Sequence, residues 1–232
     1  MTGLEIHERV HALAPWFHDL DIRGVRTAPD HPLGGFLRDL WRQVEPAFPS
    51  VMSGKTVLDI GCNAGFYSQQ LHARGARVTA IDHDPRYLEQ ARFAAEANGA
   101  EIELHEMDVY EVGRLGRRFD YVLFMGVLYH LRYPLLALDR VGAIVRERLV
   151  FQSMLRGPRG TPELEDDYPI TETATFEDPR YPAMRFIEHS YAGDPTNWWV
   201  PNQAGMEAML RSAGLRIDRR VEGEVYFCSP AG

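Results

Sequence analysis

Cysteine, lysine and long apolar runs are scarce in this sequence, and each scarcity removes a class of protein. Two cysteines, Cys62 and Cys228, suggest neither a disulfide framework nor a thiolate metal cluster. No stretch approaches 18 consecutive apolar residues, which excludes a membrane-spanning helix. The opening Met1–Pro15 has no basic stretch followed by an apolar block, as a secretory signal would, so a cytoplasmic protein is expected. Lys55 is the one lysine among 25 basic residues; acidic residues number 33, and the formal net charge is −8. Nucleic-acid binders draw much of their affinity from basic side chains that neutralise phosphates. The charge balance therefore disfavours an RNA partner, although local patches such as Arg114, Arg117 and Arg118 keep the question open. What remains is ordinary: 45% hydrophobic residues over 232 positions suit one α/β domain with short additions.

The chain opens with two helical stretches, Leu4–Ala14 and Gly35–Val44, separated by a turn-rich segment from Arg26 to Gly35. These place residues 1–54 in an N-terminal helical segment. From Lys55 the pattern changes to strands alternating with helices. Strands are expected at Thr56–Ile60, Arg77–Ile81, Glu101–Leu104, Tyr121–Met125 and Arg148–Met154, with helices at Gly65–Ala73, Pro85–Asn98 and Pro134–Val145. Such alternation implies a doubly wound, mostly parallel sheet covered on both faces. Residues 155–202 interrupt the rhythm with Pro, Gly and acids, then an aromatic cluster that includes Tyr181, Phe186, Trp198 and Trp199. A connection of that length inside a domain is usually a functional lid, and its aromatics argue against disorder. Gln203–Ala213 resumes as a helix, followed by a strand pair, Arg216–Val221 and Glu224–Cys228. The second unit is therefore 55–232, with the lid inserted after strand five.

The strongest local signal is the run from Val57 to Tyr67, in which a strand ends at Asp59-Ile-Gly61, turns through Cys62 and Asn63, and enters a helix at Gly65. Strand, glycine loop and helix are the logic of nucleotide-binding α/β folds, since glycine lets backbone approach a ligand closely. The run departs from a dinucleotide fingerprint, because Asp59 precedes the first glycine and Asn63 stands where the middle glycine would be. An acid there repels pyrophosphate and suits a cationic ligand. Asp82, twenty-three residues on, closes the second strand and is placed to accept hydrogen bonds from ribose hydroxyls. Met107-Asp108-Val109 follows the third strand; Asp108 can accept from an exocyclic amine while Met107 and Val109 cover the faces of a ring. Each acid also has a plainer reading, as a cap or a surface residue.

Three such sites on successive strand ends resemble those of the class I S-adenosylmethionine (SAM)-dependent methyltransferases, and the resemblance covers roughly Lys55 to Cys228. It implies SAM as cofactor, a seven-stranded sheet with an antiparallel last strand, and cofactor contacts from Asp59, Gly61, Cys62, Asn63, Gly65, Asp82, Met107, Asp108 and Val109. The run Met125-Gly-Val-Leu-Tyr-His130, with Pro134 four positions on, is similar to the tRNA wobble-uridine methyltransferase and carboxymethyltransferase-like group. That similarity implies that Met125 and Tyr129 line the sulfonium end of the cofactor. The RNA-modifying members are longer and more basic ahead of the sheet. Members using carboxy-SAM are expected to hold its carboxylate partly with N-terminal lysines, and none precedes Lys55 here.

His130, following the fourth strand, is a candidate base, since a neutral imidazole suits proton removal near pH 7; packing or capping is the rival role. His189 on the lid is a second candidate, and Trp198 and Trp199 are candidates to stack on the acceptor. No cluster has metal-ligand spacing, so no metal is expected. The leading expectation is methyl transfer to oxygen or nitrogen of a small polar metabolite, such as a glycoside or natural-product intermediate. A tRNA wobble-uridine enzyme and a non-catalytic SAM-binding protein are the alternatives. No membrane partner is expected, and a homodimer stays open.

Overall fold

The computed structural model describes residues 1–221 and 224–232. Seven strands make one sheet: β1 Thr56–Ile60, β2 Arg77–Asp82, β3 Ile102–Glu106, β4 Phe119–Met125, β5 Val145–Gln152, β6 Leu215–Arg220 and β7 Val225–Pro230. Their spatial order is β6-β7-β5-β4-β1-β2-β3. β1 to β5 are parallel, and β7 runs against both of its neighbours. The expected doubly wound α/β sheet with an antiparallel last strand is therefore present.

Its strands alternate between two cores, as a period of two requires. Val57, Tyr121, Leu123, Val150, Val225 and Phe227 face one apolar cluster, whereas Leu58, Ile60, Val122, Phe124, Leu149 and Tyr226 face the other. The first cluster is completed by α1 Gly3–Ala12, α2 Phe36–Val44, α3 Phe66–His72 and α4 Pro85–Asn98; the second by α5 Pro134–Ile144 and α6 Gln203–Ser212. Ile6 and Val10 of α1, and Leu40 and Val44 of α2, sit four residues apart on the buried face. The N-terminal helices are thus part of the layer that closes one face of the sheet.

Helix ends follow local chemistry. Thr2 and Glu5 form a reciprocal capping box on α1, while α4 begins with Asp84 capping Arg86 N and Pro85 in the first turn. β4 and β5 each extend further toward their amino ends than expected. Their polar first residues are held by ion pairs, Arg146 on Asp120 at 2.8 Å and Lys55 on Glu147 at 2.6 Å. Two short antiparallel ribbons, Asp21–Ile22 with Val25–Arg26 and Met184–Phe186 with Trp199–Pro201, were not expected.

The second ribbon belongs to the inserted segment, which divides in two. Gly157 to Arg180 is mostly exposed, with Ile170 fully so. The later part is fastened by buried Asn202, which caps α6 at Gly205 N (2.8 Å) and accepts from Ala183 N (3.1 Å). It also donates to the carbonyls of Pro179 and Tyr181. A Cβ on Gly205 would stand 2.5 Å from Ala183 O, so only glycine lets the segment pass that close. The strand order reverses between β1 and β4, and in open α/β sheets ligands bind outside the carboxyl ends of the strands at such a point.

Candidate active site

The loop leaving β1 is stapled over β2: Gly61 N and Cys62 N both donate to Ile81 O, at 2.9 and 3.0 Å. Asn63 has φ +50° and donates its N–H to Asp82 Oδ2 at 2.9 Å, while its own Oδ1 accepts from Ala64 N. Gly61 has φ +70°, and a Cβ there would lie 2.4 Å from a methyl of Val127. A side chain is thus excluded twice, by conformation and by contact with the exit of β4. Gly65, also left-handed, precedes α3 without a side-chain cap. The ring of His18 supplies one, its Nδ1 accepting from Phe66 N at 3.3 Å. Burial pushes the His18 pKa down to about 3, so the ring is neutral. The sequence assigned nothing to His18, because its partner lies 48 residues away.

The two central acids are buried, Asp59 at 2% exposure and Asp82 at 5%. Asp59 sits behind the loop, where its Oδ2 accepts from Ser68 Oγ at 2.6 Å and ties β1 to α3. Burial raises its pKa to about 6; Ser68 opposes that rise and neighbouring Asp82 adds to it. Asp82 holds the loop through Asn63 N and the turn to α4 through Asp84 N (3.0 Å). Among the described residues neither acid has a lysine or arginine partner, and the one ion-pair neighbour of Asp82 is His83 at 3.5 Å. Two buried carboxylates without a lysine or arginine partner make an anionic strand edge that disfavours phosphate and favours a cation.

Met107 N donates to Asp82 O at 2.9 Å, joining the second and third assigned sites. Asp108 is exposed and caps the following turn through Tyr110 N (2.9 Å), while Val109 is buried. Cys62 packs against Ala80 and Leu88, so it anchors the loop and presents no thiol. At the exit of β4, Met125 and Tyr129 are half-buried. Burial, then Glu224 and Asp194, push the Tyr129 phenol up to about 12.

The inserted segment docks on this exit. Trp198 N donates to Tyr129 O at 2.7 Å, Trp199 Nε1 donates to Arg132 O at 3.3 Å, and the Arg132 guanidinium lies 4.9 Å from the Trp198 ring centre. His130 Nδ1 is 2.8 Å from Thr196 Oγ1 and 3.7 Å from Asp194 Oδ2. Burial lowers the His130 pKa, with Asp194 and Thr196 opposing. His189 is exposed and takes no part in these contacts. The structure thus brings Thr196 and Asp194 to His130, and sequence reasoning assigned neither. The run Asp-Pro-Thr gave one signal, a turn in which Asp194 accepts from Thr196 N. A cavity of about 480 Å³ lies elsewhere, between Ala12–Phe17 and the first turns of α4, and none of the assigned cofactor residues borders it. The assigned polar groups of the first two sites instead lie together at the carboxyl ends of β1 and β2.

Residues 57–147 match the family model described as "Methyltransferase domain". A structure described as the N-terminal domain of EvdMO1 with SAH bound superposes on the whole chain with a TM-score of 0.71, at 23% identity and over 98% of that domain. Residues 57–147 are thus similar to methyltransferase domains, and the chain shares the fold of that solved structure. Curated relatives point to two kinds of methyltransferase. A tRNA U34 carboxymethyltransferase of Pseudomonas aeruginosa is 29% identical over 94% of this chain and 61% of its own length. A ubiquinone biosynthesis O-methyltransferase of Methylocella silvestris is 39% identical over 42% of this chain and 38% of its own. The chain spans between about a third and three fifths of the length of the curated relatives it matches.

Proposed function

We propose that this chain binds SAM at the carboxyl ends of β1, β2 and β3 and transfers its methyl group to oxygen or nitrogen of a small polar metabolite. The observation that carries the reading is the pair of buried acids, Asp59 and Asp82, behind a glycine loop and, among the described residues, with no lysine or arginine partner. That environment suits a ligand with a sulfonium and an ammonium group. When bound, SAM supplies an electrophilic methyl on positively charged sulfur. In this reading Gly61, Cys62, Asn63 and Gly65 offer loop backbone, with Asp59 as the charge behind it. Asp82 accepts from the ribose hydroxyls, and Asp108 accepts from the adenine amine between Met107 and Val109. Met125 and Tyr129 line the wall nearest the methyl. His130 takes the acceptor's proton, and Trp198 and Trp199 cover the acceptor and exclude water. Much of the acceleration then comes from alignment of nucleophile, methyl and sulfur.

The similarity to tRNA U34 carboxymethyltransferases along 94% of the chain favours a second reading, wobble-base modification. Charge argues against it. Arg114 is paired with Glu111, Arg117 with Glu103, and Arg118 donates to Val145 O, so that basic cluster is engaged within the chain. Of the N-terminal arginines that could hold a carboxylated cofactor in place of lysine, such as Arg23, Arg26 and Arg38, the last two both grip Asp19. Lys55 sits at the start of β1, at the sheet's opposite edge, on Glu147. Competition calorimetry with SAM and carboxy-SAM tests the choice. Tighter binding of SAM is expected; a clear preference for carboxy-SAM would reverse the transferred group and revive the tRNA reading.

A further inference from the structure

The hydrogen bonds around His130 determine which of its nitrogens carries the proton. Asp194 Oδ1 accepts from Thr196 N at 2.7 Å and lies 2.6 Å from Thr196 Oγ1. Two oxygens that close need a hydrogen between them, and a carboxylate has none to give. The single hydroxyl hydrogen of Thr196 therefore points at Asp194. Oγ1 is left as an acceptor toward His130 Nδ1, 2.8 Å away. In the alternative tautomer Nδ1 would be a bare acceptor claiming that same hydrogen, and the Thr196–Asp194 contact would become repulsive. Asp194 Oδ2, 3.7 Å from Nδ1, adds a charge that favours a proton on that nitrogen.

We propose that Thr196 and Asp194 are positioning residues that hold His130 as the Nδ1–H tautomer, leaving the Nε2 lone pair to accept a proton only while the inserted segment is docked. The inference rests on the proposed role of His130 as base. Both partners lie on the lid, and the lid meets this turn through Trp198 N on Tyr129 O and through the Arg132–Trp198 contact. Lifting the segment removes the hydroxyl and the carboxylate together, and the ring loses what fixes its orientation. Besides Asp194, the titratable groups around His130 are Tyr129, whose ring centre is 4.4 Å away, and His83 from the exit of β2. In the transfer step, the acceptor's lone pair forms the bond to methyl, the carbon–sulfur bond electrons return to sulfur, and the acceptor's proton moves to Nε2. Asp194 stabilises the resulting imidazolium and takes no proton.

The tautomer can be read without knowing the acceptor. Long-range proton–nitrogen correlation on the whole chain labelled with ¹⁵N-histidine, at a pH where His130 is neutral, is expected to show Nδ1 protonated and Nε2 bare. Thr196→Val and Asp194→Asn are surface changes, and each should return the ring to a mixture of tautomers or to Nε2–H; Thr196→Ser should restore the wild-type signature. A wild-type ring that is mainly Nε2–H, or a signature that neither variant moves, overturns the proposal. With labelled SAM and a fraction that accepts methyl, both disrupting variants should lower the rate several-fold and shift the acidic limb of its pH profile, with SAM affinity unchanged. Unshifted profiles would also overturn it. A chain that transfers no methyl while showing the expected tautomer would refute the methyltransferase reading instead, so the two failures separate.

Discussion

At the scale of single residues, two buried acids have different tasks. Asp82 closes β2 and clamps the loop through Asn63 N. Asp82→Ala is expected to weaken SAM binding by roughly 1.5–3 kcal/mol, the usual cost of losing a hydrogen bond to a charged group. Calorimetry showing unchanged affinity would remove Asp82 from the cofactor site. Asp59 makes a prediction about pH. Folded Asp59 keeps its proton up to about pH 6, against 3.8 for the free group. Between those values the folded state binds more protons, so this contribution to stability is full below 3.8 and is lost as pH rises through 6. Asp59→Asn cannot ionise. At pH 7.5 it should stabilise the unliganded protein, relative to wild type, on the order of 1–3 kcal/mol, from about 1.4 kcal/mol per pKa unit. Near pH 4 that advantage should vanish. Melting curves at the two pH values check this; an equal difference at both would mean that Asp59 ionises without hindrance. The same charge is what a cationic ligand would use, so SAM affinity should fall as pH drops through 6.

At the scale of elements, the sheet and its covering helices were legible because each carries a strong period. α4 was expected at Pro85–Asn98 and found there, since Asp84, Pro85 and Gly99 mark its ends in the sequence itself. β1 was found where its apolar run lies, from Thr56 to Ile60. The Asp21–Arg26 hairpin and the ribbon that pairs Met184–Phe186 with Trp199–Pro201 were not, because strands of two or three residues have no period to detect. Among the candidate site residues, Asp82, Asp108 and His130 were proposed from their positions at or after strand ends. His18, Ser68, Thr196 and Asp194 were not, since each acts across a tertiary contact. The inserted segment shows the same division. Its aromatics suggested a lid, but only the structure separates an exposed arm, 157–180, from a ribbon fixed by Asn202. Hydrogen exchange in the free protein should therefore be fast in the arm, slower around Trp198–Asn202, and slowest in β1 and β4. Uniformly slow exchange across 157–202 would contradict a movable cover. Trp198→Ala or Trp199→Ala should lower turnover or acceptor affinity while SAM still binds, because aromatic area and water exclusion over the acceptor are lost. Loss of SAM binding in both variants would instead make the tryptophans part of the cofactor site.

At the scale of the whole molecule, charge favours a small acceptor over RNA. The protein carries a net charge of −8, and many of its arginines, Arg9, Arg86, Arg156 and Arg180 among them, face carboxylates within the chain. Phosphate binding by such a surface would be weak, because few basic groups are left to neutralise phosphates. The experiment that bears most directly on the account is transfer of isotopically labelled methyl from SAM into an extract separated into small-molecule and RNA fractions. Label entering the small-molecule fraction, and lost when Asp82 is replaced, is the result expected. Label entering only the RNA fraction would contradict the proposed acceptor. SAM binding with no label in any fraction would contradict the proposal that this chain is an enzyme.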